Sequence, residues 1–508
     1  MKHCRWPLLL VLGTLEACST ASPTQDRAPD ASHDSSVPRE SGASARDSAT
    51  KDVTTPIDAR LDAPDAFDAF TFDAGDAAVP LAKWNTQASI FVNGFEAAAA
   101  GQVDCRTEIC QHNEDTDMIA WGGAIYMVHR TARIQILGPN SSLLIYRSVD
   151  DGATFKEVTR IDAPMTPIDA NDDATMGRDI RDPAFFITTT NGVSTLRLKA
   201  LTRLPTNIAI TQTRDSNVES ITVGFSSTDG TTWSPLARLA PNLWSFWRVK
   251  ELGGVFYSAA YHDGDSSVSL FSSPDGVTWT LGAQVFGVTA DTPLETEIVE
   301  MPNGNMLALV RTDGDDADLE GNDGNQRTHV CWAQPPYTTF TCPETVLGER
   351  LDGPVAFFWQ GRLFVIARRH VDTNGVLMRK RTSLFELSPV ERGTADAGAD
   401  GGVLVTVDSG LDAQTAMSSD WGSPSGYDGG ASPVDGGAFD DEPVLAVKWW
   451  GDLPSAGDTA YAGVAFTDAN HARVVWYSGD IVADESWVAS MLGPTSIWLG
   501  TIDFSLVH

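Results

Sequence analysis

Carboxylates and guanidinium groups recur along this 508-residue chain just ahead of apolar stretches. Asn113-Glu-Asp-Thr-Asp117, Arg178-Asp-Ile-Arg-Asp-Pro183, Phe246-Trp-Arg248, Glu295-Thr-Glu297, Asp352-Gly-Pro354 and Gly457-Asp-Thr-Ala-Tyr461 each lead into such a stretch. Two carboxylates set across a sugar suffice for acid–base hydrolysis, and a guanidinium fork grips a carboxylate with two parallel hydrogen bonds. Glu295 and Arg311 flank the turn Pro302-Asn303-Gly304. One opens a strand and the other closes the next, so a hairpin returns both to the same end.

These clusters sit on a repeat. Six times a polar cluster is followed by an apolar strand, a Gly/Asn turn and a second strand. The second strands are read at Ala124–His129, Val193–Ala200, Val255–Tyr261, Asn305–Arg311, Arg362–Arg368 and Ala472–Tyr477, and a third strand follows each. Three third strands end at a Ser-x-Asp turn: Ser148-Val-Asp150-Asp-Gly152-Ala-Thr154-Phe155, Ser227-Thr-Asp229-Gly230-Thr-Thr232-Trp233 and Ser273-Pro-Asp275-Gly276-Val-Thr278-Trp279. Patterning is near period two with aromatic and β-branched residues, and no stretch keeps a helical period. A repeat near fifty residues made of short strands predicts an all-β fold, a six-bladed β-propeller. Residues 85–95 are expected to supply an outer strand that closes the ring and hides its edge. Function is then expected at the axis, where the first strands converge. The Ser-x-Asp turns are structural, with Asp and Ser bonding local backbone and Gly taking positive φ.

These Asp-box turns in a six-fold all-β repeat resemble the sialidase (neuraminidase) superfamily of propellers with BNR repeats, over roughly residues 85–508. The stretch Glu295-(x3)-Val299-Glu-Met-Pro-Asn-Gly304-(x6)-Arg311 resembles the sialidase segment that carries a Glu and an Arg. Ala460-Tyr461-Ala-Gly-Val, followed by Val474-Val-Trp-Tyr477-Ser478, resembles the tyrosine hairpin. The resemblance implies a glycoside hydrolase with Tyr461 as nucleophile, Glu295 as its base, and Arg311 with Arg381 gripping a substrate carboxylate. Arg368 is the alternative to Arg381. Asp115 or Asp117 would serve as acid/base. Blade one departs from the family: Asn113-Glu114-Asp115 stands where sialidases place an Arg, His129 to Asn140 holds no Asp or Glu, and Arg106 or Arg130 are the nearby cations. An acidic cluster there would repel a sugar carboxylate. A second enzyme reading takes a neutral sugar with Asp115 or Asp117, Asp182, and Glu295 or Glu297. Arg181-Asp182-Pro183 resembles the Arg-Asp-Pro of five-bladed fructosidase and arabinosidase propellers, and equally fits an ion pair at a strand entrance. A third reading is a non-catalytic surface propeller that binds glycan or protein, with Trp244, Trp247 and Tyr261 around Arg248 as a stacking platform or as inter-blade packing. The expected partner is a glycan or glycoconjugate and the expected state a monomer, with Arg181 and Arg248 as further substrate contacts.

The ends and the charge complete the reading. Residues 1–18 read as a secretion signal: Lys2 and Arg5, an apolar stretch from Pro7 to Leu15, then Leu15-Glu16-Ala17-Cys18. That ending resembles a lipoprotein signal, which implies lipid on Cys18 and an exported chain anchored to the bacterial envelope, expected at the outer membrane, in the periplasm or at the cell surface. Residues 19–80, rich in Ala, Asp, Ser and Pro, read as a disordered tether, and 393–443 as a low-complexity insert in the propeller spanning 81–508. Residues 19–80 hold twelve acidic and five basic residues and 393–443 hold ten acidic and none basic, about half of the net charge of −33. Such acidity argues against nucleic acid, whose binding leans on Lys and Arg. In an oxidising compartment Cys105–Cys110 and Cys331–Cys342 are the expected local disulfides, the other pairings staying open. No CxxC pair or histidine cluster points to a metal or cofactor. The oxygen-rich run Asp313 to Gly324 has a Ca²⁺ reading, but read as an EF-type loop it meets Arg327 where the closing Glu belongs, so a solvated loop is expected.

Overall fold

A computed structural model describes residues 82–135, 140–172, 177–204, 220–287, 292–312, 328–343, 347–372, 379–389 and 445–507. The leader with Cys18, the tether, the acidic run 313–324 and the insert 393–443 lie outside the described residues.

The described residues form six antiparallel sheets. The six first strands are His112–Trp121, Asp179–Thr190, Trp244–Leu252, Pro293–Glu300, Asp352–Trp359 and Thr459–Phe466. Each contacts the first strands of the blades before and after it, which closes a ring around one axis. Every second and third strand read from the sequence lies within or largely within an observed one. Two-residue turns join first to second strands in blades one, two, three and five. Gly122-Gly123 and Asn191-Gly192 both have positive φ at each position, the hairpin geometry that matches strand twist.

Blade six is closed by the first described strand. Its sheet runs in the order Thr459–Phe466, His471–Ser478, Ser496–Asp503 and, outermost, Asn85–Val92. The first described strand therefore pairs with the last, Ala88 opposite Gly500, as the residues 85–95 reading anticipates. Blade five has Leu445–Asp452 as its outer strand. In chain order the insert thus connects the third and fourth strands of blade five rather than blades five and six.

The core lies between neighbouring sheets. Val128, Ile145, Leu196, Leu198 and Val223 are all fully buried in one cluster joining blades one and two, and Trp476, Ile502 and Phe504 in another joining blades five and six. At the Ser-x-Asp turns, Ser227 Oγ accepts from Gly230 N at 2.8 Å and Asp229 accepts from Thr232 N at 2.7 Å. The turn aromatic Trp279 packs on Phe246, with centroids 5.0 Å apart. Because strands alternate in direction, these turns sit at the opposite end of each blade from the first-strand entrances. Disulfides join Cys105 to Cys110 and Cys331 to Cys342.

One feature common to all six first strands positions the mouth. Pairing with the second strand slips between Glu114 and Asp117, Arg181 and Ala184, Phe246 and Val249, Pro293 and Thr296, Asp352 and Val355, and Ala460 and Gly463. Each slip is a β-bulge, which frees residues from the ladder and re-aims their side chains. The freed residues include Asp115, Asp182, Trp247, Arg248, Glu295 and Tyr461. Asp115, Asp182 and Tyr461 take φ of 55°, 49° and 48°. Such left-handed backbone in a residue with a side chain costs about 1–3 kcal/mol and collects at functional sites.

Candidate active site at the propeller mouth

In the sector of blades four to six, the Tyr461 hydroxyl donates to Glu295 Oε1 at 2.5 Å. The Arg311 guanidinium donates to the other Glu295 oxygen, and its Nε lies 3.4 Å from Asp352. The Arg368 guanidinium lies 5.9 Å from the Tyr461 ring centroid and donates to Asp458 at 2.9 Å. Asp352 also accepts from Arg350 at 2.7 Å. Burial would raise its carboxyl, but Arg311, Arg350 and His370 hold it well below the usual range. Burial, then the Glu295 and Asp182 charges, push the Tyr461 phenol well above its ordinary value, against Arg311 and Arg368.

The sector of blades one and two is acidic. Arg181 donates to Glu114 at 2.8 Å, and its Nε lies 3.8–3.9 Å from Asp115, Asp179 and Asp182. Arg130 donates to Glu114 and, at 2.7 Å, to Asp179. Burial alone would raise Glu114, but Arg130, His112 and Arg181 bring it down to about 2. Its neighbour behaves oppositely: burial and the Glu114 and Asp182 charges push Asp115 well up. Asp182 is also raised, by burial first and then by Glu295, against Arg181 and Lys199. Asp182 N donates to Asp115 Oδ2 at 3.2 Å, so the two bulges are tied together.

Between the sectors lies a small cleft lined by Asp115, Asp182, Lys199, Trp247, Arg248 and Tyr461, among others. Lys199 Nζ donates to the carbonyls of Asp182 at 2.6 Å and Phe246 at 2.9 Å. Burial brings its ammonium down to about 8, against the pull of Asp182. The Trp247 ring meets Tyr461 edge to face at 5.3 Å and its Nε1 donates to Pro354 O at 3.0 Å. At 3 % exposure Trp247 is packed rather than presented. Trp244 packs on Phe271 and His262, and Tyr261 is buried in the apolar cluster of blades three and four. The stacking-platform reading thus gives way to inter-blade packing.

The remaining sequence candidates separate cleanly. Asp117 is committed: one oxygen accepts from Arg248, the other from Phe185 N at 2.6 Å. Glu297 is fully buried and accepts from Lys250 at 2.6 Å and Ala356 N at 3.0 Å. Asp115 and Glu295 are therefore the members of their pairs that can serve the cleft. Arg381 is bound to Asp484 at 2.5 Å; the blade-five arginine beside Tyr461 is Arg368. Arg106 donates to Ala163 O at 2.7 Å, so Arg130 is the cation of blade one, though a buried one. Lys199 was not singled out from the sequence; it is one of three cations on the strand Val193–Arg203, with Arg197 and Arg203, and nothing in its spacing marks it.

Ligand atoms of His112, Glu114 and Asp458 lie within 4.8 Å of one another, a spacing a metal ion could span. The same two carboxylates already hold Arg130, Arg181 and Arg368. A divalent cation would sit against three guanidinium charges, so the cluster is assigned to ion pairing.

The mouth thus combines a phenol on a carboxylate, a raised carboxyl across a cleft, and paired arginines, on a six-bladed propeller. No family model matches the chain, and no curated protein matches it in sequence. Among solved structures it is similar to a protein of unknown function from Dyadobacter fermentans, at 15 % identity over 82 % of this chain and 98 % of that one, with a TM-score of 0.50. It is also similar to a Hadza microbial sialidase, at 13 % identity over 78 % of this chain and 66 % of that one, TM-score 0.46. A third is the Trypanosoma rangeli sialidase bound covalently to 2,3-difluorosialic acid, at 12 % identity over 77 % and 54 %, TM-score 0.44. The chain spans about half to two thirds of those two sialidases. Likeness at this identity speaks to fold alone.

Proposed function

We propose that the chain is a retaining glycoside hydrolase in which the Tyr461 phenol attacks a terminal sugar. The observation carrying this reading is the 2.5 Å contact of Tyr461 with Glu295, backed by Arg311, with Asp115 lining the same cleft.

In the first step Tyr461 Oη bonds to the anomeric carbon as the bond to the leaving oxygen breaks. The phenol proton passes to Glu295, and the Asp115 carboxyl proton goes to the leaving oxygen. In the second step water attacks the same carbon and gives its proton to Asp115, while Tyr461 leaves and recovers its proton from Glu295. Two inversions retain configuration. An ordinary phenol and an ordinary carboxylic acid differ by about 6 pKa units, about 8 kcal/mol, and burial of Tyr461 adds to this. Proton transfer must therefore accompany attack rather than precede it, which the short contact permits.

Purified protein on a panel of aryl glycosides tests the reading. Turnover should fall about 100-fold or more in Glu295→Gln and further in Tyr461→Phe. Glycan binding without turnover of any glycoside would instead make the mouth a binding site. We further propose that the chain is exported and lipid-anchored at Cys18, on the signal-like residues 1–18; Cys18→Ala should then move it from the membrane to the soluble fraction.

A further inference from the structure

We infer that the sugar this cleft selects is uncharged, and that sialic and uronic acids are excluded by ion pairs internal to the mouth. The inference rests on the cleft being the sugar site proposed above.

A sugar carboxylate needs a guanidinium able to turn toward it. Among the described residues, each arginine that reaches the mouth is committed to an internal carboxylate. Arg130 holds Glu114 and Asp179, Arg181 holds Glu114, Arg248 holds Asp117, Arg311 holds Glu295, and Arg368 holds Asp458. A substrate carboxylate would have to share one of these arginines with the acid that it already holds, whose negative charge then stands beside the newcomer and opposes it. Taking Arg311 would also strip Glu295 of the contact that orients it toward Tyr461.

The cleft wall adds repulsion. Asp115 and Asp182 both line it. At Asp115, burial and then the Glu114 and Asp182 charges disfavour negative charge, and at Asp182 burial does so with Glu295 adding to it, against Arg181 and Lys199. An incoming carboxylate beside Asp115 would meet the same acids. A hydroxyl meets complementary partners instead: Asp182 accepts, and Lys199 has three N–H donors of which two are used on carbonyls.

The test uses the full chain and paired probes that differ only at C6: aryl glucoside against aryl glucuronide, aryl galactoside against aryl galacturonide. Matched neutral and sialylated glycans on an array join them. The neutral member of each pair should bind or turn over at least about tenfold better, a difference of about 1.4 kcal/mol. Asp182→Asn, which keeps a residue tolerant of the left-handed backbone, should raise the response to the acidic member several-fold. Equal or stronger binding of acidic members by the wild type would overturn the inference, as would binding of neither. Neutral selectivity without turnover removes the hydrolase reading and leaves this one standing; turnover with acidic preference does the reverse.

Discussion

Glu114 is the keystone of the acidic sector, and its removal should be felt as stability. It is 1 % exposed and accepts from Arg130, from Arg181 at 2.8 Å and from His112 at 3.2 Å. Two routes give its worth. Breaking one side of a buried ion pair costs about 3–5 kcal/mol, toward the low end here because Arg130 keeps Asp179. Independently, a carboxyl lowered from 4.5 to about 2 corresponds to about 3 kcal/mol of stabilisation of its ionised form. The folded value is depressed, so this stability is present above the ordinary 4.5 and is lost as pH falls through about 2. Urea unfolding of the wild type and Glu114→Gln should therefore differ by about 3 kcal/mol at pH 7 and by roughly 1 kcal/mol at pH 3. A gap below about 1 kcal/mol at pH 7, or one that is the same at both pH values, would refute the keystone role.

Other residues give sharper contrasts. Lys199→Met keeps the stem and removes the donors to two buried carbonyls, so the unfolding free energy should drop by about 2–4 kcal/mol, read in the same urea titrations. Arg368→Ala and Arg381→Ala separate the two blade-five arginines: the first should lose most turnover and about 3–5 kcal/mol of stability, the second less than twofold in rate and at most about 0.5 kcal/mol. Because Asp115 must carry a proton to act as acid and its carboxyl is pushed well up, kcat/KM should fall on the alkaline side, at a pH well above the usual aspartate range. Asp115→Asn should remove that limb from the rate profile measured with a substrate that has a good leaving group.

Much of the fold was legible because its signals are local. Period-two apolar runs, Gly and Asn turns and Ser-x-Asp phrases mark strands and their order, and ring closure followed from the need to cover an edge. The convergence of Glu295, Arg311 and Tyr461 was legible through resemblance, since one hairpin and one strand entrance fix all three. What sequence hid was parity and pairing. On the strand Arg379–Pro389, Lys380 and Thr382 are buried and Arg381 points the other way, whereas Arg368 lies opposite Thr382 and shares its face. A one-residue step thus decides which arginine meets Tyr461. The six bulges were equally silent, because a slip in register leaves no composition signature. The choice between Asp115 and Asp117 depended on it: the bulge frees Asp115, while Asp117 returns to the ladder and binds Arg248. Ion pairing between blades, such as Arg181 with Glu114, joins residues far apart in sequence and becomes visible only in the closed ring.

The most direct measurement is the identity of the atom that bonds the sugar. The protein, incubated with activated 2-fluoro or 2,3-difluoro glycosides that slow the second step, is digested and its peptides weighed. If Tyr461 is the nucleophile, one glycosyl unit appears on the peptide containing Tyr461 and disappears in Tyr461→Phe. A glycosyl unit on Asp115 or Asp182, or steady turnover of aryl glycosides by Tyr461→Phe, would contradict it.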